Sequence, residues 1–257
     1  FALTSPHTPI LPAPSYRGRS GTNAYGDFVL MTDDMVGKIL DAVKAAGIED
    51  NTIIVFTSDN GCSPSAGFAE LSAAGHHSSY VYRGAKADIF EGGHRIPFIV
   101  KWPAKVRAGL ETTATVCLTD FMATLADVFQ RPLKDNEGED SFSLLPLLLK
   151  EKGYARTSII HHSIDGNFSI RKNNWKLVFA RGSGGWSPPT EKQAKAQGLP
   201  NLQLYNLTTD TGETNNVAAG HPSIVRELSA TIEAIIENGR STKGKKQPND
   251  TEVNYRE

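Results

Sequence analysis

Residues 52–61 read TIIVFTSDNG, and residues 83–103 read RGAKADIFEGGHRIPFIVKWP. The apolar, β-branched run from Thr52 to Thr57, closed by Ser58-Asp59-Asn60-Gly61, predicts a buried strand ending in a tight turn. Phe98 to Trp102, stopped by Pro103, predicts a second. Asp59 and Asn60 then lie at the carboxyl end of a strand, the edge where open α/β sheets bind ligands. A carboxylate beside an amide offers only oxygen, which suits a hard divalent cation better than zinc or copper. The same residues also make an Asx turn, and on this stretch alone both readings stand.

Gly92 and Gly93 predict a turn with positive φ. Lys86 sits just before it, where an ammonium can neutralise a bound oxyanion. Taken together, DNG, RGxK and EGGxRxPxxxxWP resemble the sulfatase family, within the alkaline phosphatase superfamily. The resemblance covers most of residues 4–238.

It implies an α/β fold: an alkaline-phosphatase-like sheet flanked by helices, incomplete here, with a small C-terminal antiparallel sheet plus a helix. It makes Asp59 and Asn60 two ligands of one calcium ion (Ca2+), the other ligands lying upstream. Lys86 would bind sulfate and steady the leaving oxygen. His7, in Ser5-Pro6-His7-Thr8-Pro9, matches the family's PHxP segment, whose His reaches the sulfate. Read without the family, it is a surface His in a proline-rich loop. Arg83, Glu91 and Arg95 read as scaffolding around the glycine turn.

The implied reaction is calcium-dependent hydrolysis of a sulfate monoester through an upstream formylglycine. Cys62-Ser63-Pro64-Ser65-Ala66 has the Cys and Pro of the C/S-x-P-x-R modification sequence, but Ala66 replaces the Arg and the segment follows PHxP. We read it as a chance match, so the chain by itself is expected to be inactive. Alternatives are a phosphodiesterase or phosphonate hydrolase of the same superfamily, or a non-catalytic binding protein on a degenerate sulfatase fold. The implied partner is a sulfated small molecule or sulfated carbohydrate, and the implied location periplasmic or secreted.

Composition agrees with this class. With 257 residues, 39% of them hydrophobic, the chain can bury one substantial core and a smaller second unit. A net charge of −1 argues against nucleic acid. No apolar run reaches the length of a membrane span. Two cysteines allow at most one disulfide and suggest no zinc site. The opening FALTSPHTPI has neither initiator Met nor signal peptide and reads as the middle of a longer protein.

Along the chain, residues 25–46 predict a helix with Phe28, Val29, Thr32, Met35, Val36, Ile39, Leu40 and Val43 inward. Asp33 and Asp34 fall on its solvated face. The loop 63–82 is long enough to suggest a binding role. For His76 and His77, substrate reading and an idle exposed loop remain equal alternatives. Thr119 predicts a helix cap, with Asp120 as first-turn charge. Strands are expected at 158–162, 168–171, 175–180 and 202–205, with Asn173-Asn174 as a hairpin turn. His161 and His162 fall at a strand end and are not read as metal ligands. Residues 182–200 read as a loop, 224–237 as an amphipathic helix, and 241–257 as a polar, frayed tail. The expected division is 1–150 for the later part of a catalytic domain, 151–240 for a small α+β subdomain, then the tail.

Overall fold

The computed structural model describes residues 1–256. The chain forms two compact units: Phe1–Lys86 with Phe90–Ala104, and Ala87–Ile89 with the chain from Lys105 onward. The expected division at residue 150 falls inside the second unit.

In the first unit, helix α1 (Ala24–Ala45) starts because the Asn23 side chain accepts from the backbone N–H groups of Tyr25 and Gly26. It stops at Gly47, whose φ of +69° lets the N–H groups of Gly47 and Ile48 turn back to Lys44 O and Val43 O. Phe28 and Thr32 are buried, whereas Val29 is exposed, so the apolar stripe is narrower than the spacing predicts. Asp33 and Asp34 face solvent.

Strand β1 (Ile54–Thr57) pairs antiparallel with β2 (Phe98–Lys101), in a two-stranded sheet. Their composition predicts burial on both faces, yet the register partners Phe56 and Ile99 are 36% and 62% exposed. Among the described residues that face is only partly covered. The region read as a long loop contains a short helix α2 (Phe68–Ala73), and Glu91–His94 forms a single helical turn, α3.

The second unit contains a four-stranded antiparallel meander, β3 (Ser158–His162), β4 (Phe168–Lys172), β5 (Trp175–Val178) and β6 (Gln203–Asn206). Asn173, in the β4–β5 turn, takes a φ of +55°. Cross-strand register aligns Ile160, Ile170, Leu177 and Leu204 in one row. Leu228 and Ile232 of α7 (Pro222–Asn238) pack with the last three of these in the unit's core. Fully burying such side chains stabilises the unit by about 1.5–3 kcal/mol each. On β5, the intervening Lys176 is fully buried, its Nζ 2.9 Å from Oε1 of Glu213, which is also fully buried.

Three expectations for this unit need correction. Helix α4 (Asp120–Val128), which precedes the short α5 (Leu145–Leu148), begins at Thr119, but the Thr119 side chain makes no cap bond. The buried Asp120 instead accepts from the N–H groups of Cys117 and Phe142 (both 3.0 Å) and pairs with the Arg156 guanidinium. The supposed loop 182–200 contains α6 (Glu191–Ala196), started by a Thr190–Gln193 capping box. The tail is not frayed: Thr242 N donates to Glu139 O, Gln247 N to Asn238 O, and the Tyr255 ring packs edge-on to Phe179 at 4.9 Å. Among the described residues no helix is long and apolar enough to cross a membrane.

Candidate active site

The three glycine-bearing motifs of the first unit meet backbone to backbone. Gly61 N donates to Gly93 O (2.9 Å), Gly92 N to Arg83 O (2.7 Å), and Lys86 N to Cys62 O (2.9 Å). A Cβ on Gly61 would lie 1.9 Å from Gly92 O, and one on Gly92 would lie 2.3 Å from Gly84 O. Glycine is therefore required here for close approach. The expected positive φ at Gly92 and Gly93 is not found, because both lie in the helical turn α3. Gly84, at φ +82°, is the residue that makes the left-handed bend.

This interlock fixes the segment carrying Asp59 and Asn60 against the segment carrying Lys86. Glu91 is buried, and its Oε2 accepts from Arg95 Nε at 3.3 Å. The Arg83 guanidinium lies over the Phe90 ring at 3.9 Å. Both observations fit scaffolding.

His7 reaches the same place. Its Nε2 is 3.4 Å from Lys86 Nζ, and its Nδ1 is 2.8 Å from Thr8 O. A carbonyl only accepts, so Nδ1 carries a proton and Nε2, in the neutral ring, accepts from the ammonium. Two groups 79 residues apart in sequence thus share one hydrogen. The Thr32 hydroxyl of α1 holds the loop from behind, bonding Ser5 Oγ (2.9 Å) and Phe28 O (2.8 Å). Further along, the buried Asp27 accepts from Gly18 N (2.7 Å) and Ser20 N (2.8 Å). The Ser20 and Gly18 bonds hold its carboxyl below the usual carboxylate range. Sequence reasoning missed both anchors, because neither residue type nor spacing marks a side chain that bonds a loop.

Asp59 is exposed, and its carboxylate accepts a long bond of 3.4 Å from Ser58 Oγ. Asn60 Nδ2 donates to Gly61 O at 3.0 Å, leaving Oδ1 as its acceptor. Two adjacent oxygen donors suit a hard cation in kind but fall short of the six to eight that calcium takes. Among the described residues no group of three His, Cys, Asp or Glu side chains assembles a metal site. Asp59 and Asn60 fit as part of a shell.

Cys62 is turned to another use. Its thiol donates to Tyr25 Oη at 3.3 Å, and Ala66, where the modification sequence needs Arg, is buried under the turn Pro64–Ala66. Burial pushes the Tyr25 hydroxyl's pKa up, keeping it protonated. His76 and His77 are exposed in the loop after α2.

A sulfatase family model matches residues 1–131, and these include every residue of this site. The chain belongs to the sulfatase family. It is 35% identical over 232 residues to an N-acetylgalactosamine-6-O-sulfatase of Bacteroides thetaiotaomicron, covering 89% of this chain and 45% of that protein. It is 30% identical to arylsulfatase A of Homo sapiens, covering 89% and 46%. The chain thus spans less than half the length of these relatives. Among solved structures, a B. thetaiotaomicron protein described with the metabolism of multiple glycosaminoglycans superposes with a TM-score of 0.78 at 36% identity, over 90% of this chain and 48% of that one. A phosphonate monoester hydrolase of Agrobacterium radiobacter superposes at 0.56 with 22% identity, covering 82% and 40%, a likeness of fold alone. The alkaline-phosphatase-like fold expected from the motifs is thus the fold of its structural neighbours.

Proposed function

We propose that this chain is the later part of a sulfatase that hydrolyses sulfate monoesters of carbohydrates, and that His7 and Lys86 act at the sulfate. The observation that carries this reading is the 3.4 Å approach of Lys86 Nζ to His7 Nε2 inside the family-matched region. Nδ1 of His7 is committed to the Thr8 carbonyl. With one N–H directed at Nε2, the Lys86 ammonium has two more to offer a departing oxygen, and it supplies positive charge where oxyanion charge builds.

Asp59 and Asn60 would hold one face of a calcium ion, with the remaining ligands from outside this chain. When bound, such a cation draws negative charge from a sulfate oxygen. The nucleophile, by family resemblance a formylglycine, would also come from an upstream segment, since Cys62 is engaged with Tyr25. The partly exposed apolar pair Phe56 and Ile99 supports a longer protein, being composed for more cover than the described residues provide. The chain by itself should accordingly be inactive. The carbohydrate class follows the relative named N-acetylgalactosamine-6-O-sulfatase, 35% identical to this chain. We assign the enzyme to the periplasm or the extracellular space on the same resemblance. Phosphonate or phosphodiester hydrolysis has only a likeness of fold behind it.

The test is turnover of sulfated sugars by the full-length enzyme and by its His7→Ala and Lys86→Ala variants. Each variant should lose about 10² to 10⁴ in rate, the usual contribution of a general acid. Full turnover by both variants, or a parent that cleaves phosphonate esters and no sulfate ester, refutes the assignment.

A further inference from the structure

We infer that Tyr80, Tyr82 and Arg95 form a platform for the sugar ring next to the sulfated one, and that this ring carries an anionic group. The inference rests on the sulfated-carbohydrate reading above and narrows it to an acidic oligosaccharide.

Its two tyrosines lie in the stretch between Gly75 and Gly84, both in the left-handed region. Two successive turns shape it: Tyr80 N donates to His77 O (2.8 Å) and Tyr82 N to Ser79 O (2.9 Å). The Ser79 hydroxyl closes it onto Gly84 O at 3.1 Å. Tyr80 is 76% exposed and sits at φ +53°, a conformation that a bulky side chain adopts only when its surroundings impose it. The loop thus holds a large aromatic ring in water at a backbone cost, and no core contact explains the arrangement.

Behind Tyr80 the surface is built in layers. The Tyr80 and Tyr82 rings meet edge to face, with centroids 6.2 Å apart and planes at 68°. The Arg95 guanidinium lies 4.5 Å from the Tyr82 ring centroid, and its Nη1 donates to Tyr82 Oη at 2.8 Å. Glu91, only 6% exposed in its side chain, holds Arg95 Nε, while the Arg95 side chain stays 43% exposed. Of the five N–H groups a guanidinium owns, those two bonds use two. The cation is fixed in direction and still offers donors outward, which suits a planar carboxylate or a sulfate. The exposed Tyr80 ring offers the flat apolar face that the C–H side of a pyranose needs.

Chain connectivity sets the distance to the proposed reaction centre. Tyr82 is four residues before Lys86, so their Cα atoms are at most about 14 Å apart. Gly92 N on Arg83 O and Lys86 N on Cys62 O hold the link at both ends. A sulfated sugar at Lys86 would have its glycosidic neighbours within that span. Tyr80 and Arg95 would therefore read the ring beyond the scissile sulfate, as specificity residues.

The experiment uses full-length enzyme and three substrates: 4-nitrophenyl sulfate, a sulfated disaccharide whose second ring is a uronic acid, and the same disaccharide with that ring neutral. Tyr80→Ala, at an exposed position, should lower the ratio of kcat/KM for the uronic disaccharide over that for the aryl sulfate about tenfold, mainly through KM. Arg95→Lys keeps the charge and loses the fork. It should lower the ratio of uronic to neutral disaccharide, with a smaller change in the ratio of neutral disaccharide to aryl sulfate. Unchanged ratios in both variants overturn the platform while leaving the sulfatase reading intact. A parent enzyme that turns over none of the three sulfate esters overturns that reading and this inference with it.

Discussion

Gly61 and Gly92 touch through their backbones: a Cβ on Gly61 would stand 1.9 Å from the Gly92 carbonyl oxygen. That contact joins the turn carrying Asp59 and Asn60 to the turn that follows Lys86. Because the obstacle is backbone, it cannot rotate away as a side-chain end would. Gly61→Ala should destabilise the first unit by about 3 kcal/mol or more, the upper range for overpacking. It should lower activity even at temperatures where the protein is folded. Thermal melting and kcat/KM of the full-length variant check this, and a parent-like melting curve would contradict it.

In the second unit the Lys176–Glu213 pair is buried with no exposed area on either side chain. Removing one partner strands a charge in the interior. Glu213→Leu alone should cost about 3–5 kcal/mol, while Lys176→Met with Glu213→Leu should recover most of it. Hydrogen exchange of the β4 to β6 amides reports the unit directly. Equal losses for the single and double variants would mean that packing, and not charge, sets the cost.

Much of this could be read from residues, and the exceptions have physical causes. The motif around Gly61, Gly84 and Gly92 was legible because close backbone approach leaves glycine as the only residue that fits. What the glycines do was misread at Gly92 and Gly93, since a helical turn and a left-handed turn both accept them. Strands β3 to β6 were legible through their β-branched and aromatic runs, and α7 through its spacing. The signal for α6, Thr190-x-x-Gln193, was present and was masked by flanking glycines and prolines. The partnerships of Asp120 with Arg156 and of Lys176 with Glu213 were not legible, because each joins residues more than thirty positions apart. His7 was singled out only through the family's motifs, whereas Lys86 also stood out as an ammonium beside the glycine turn. In the structure they come together across 79 residues.

The Asp27 carboxylate should give the loop Gly18–Ser20 a pH-dependent anchor. Its folded pKa is depressed by the N–H groups of Ser20 and Gly18. The sign follows: its contribution is fully present above the unfolded value of about 3.9 and is lost as pH falls through the lower, folded value. Asp27→Asn should melt below the parent near neutral pH, and the two melting temperatures should converge as the solution is acidified. A difference that does not vary with pH would remove the charge from the explanation.

For the metal, Asp59→Ala should weaken calcium binding to the full-length enzyme more than Asn60→Ala, because the first removes a charge with the ligand and the second a neutral ligand. Both should lower activity, and chelation of the parent should do the same. Calorimetric titration with calcium measures the order. Unchanged affinity in both variants would reduce Asp59-Asn60-Gly61 to an Asx turn.

The last prediction separates leaving-group catalysis from sulfate binding at the Lys86–His7 pair. If the Lys86 ammonium, hydrogen-bonded to His7 Nε2, gives a proton to the departing oxygen, loss of the pair matters most for a basic leaving group, since an alkoxide needs a proton and a nitrophenolate scarcely does. The full-length parent, Lys86→Ala and His7→Ala are compared across aryl sulfates of graded phenol acidity, extended to a sugar sulfate. At least one variant should show a steeper fall of kcat/KM with rising leaving-group pKa than the parent, approaching about 10² to 10⁴ for the sugar. A residue that only grips the non-bridging oxygens would lower every member of the series by the same factor, because those oxygens change little with the leaving group. Parallel slopes for both variants, with chemistry shown to be rate-limiting, would therefore move His7 and Lys86 from proton delivery to substrate binding, and the shared hydrogen would serve to orient the imidazole.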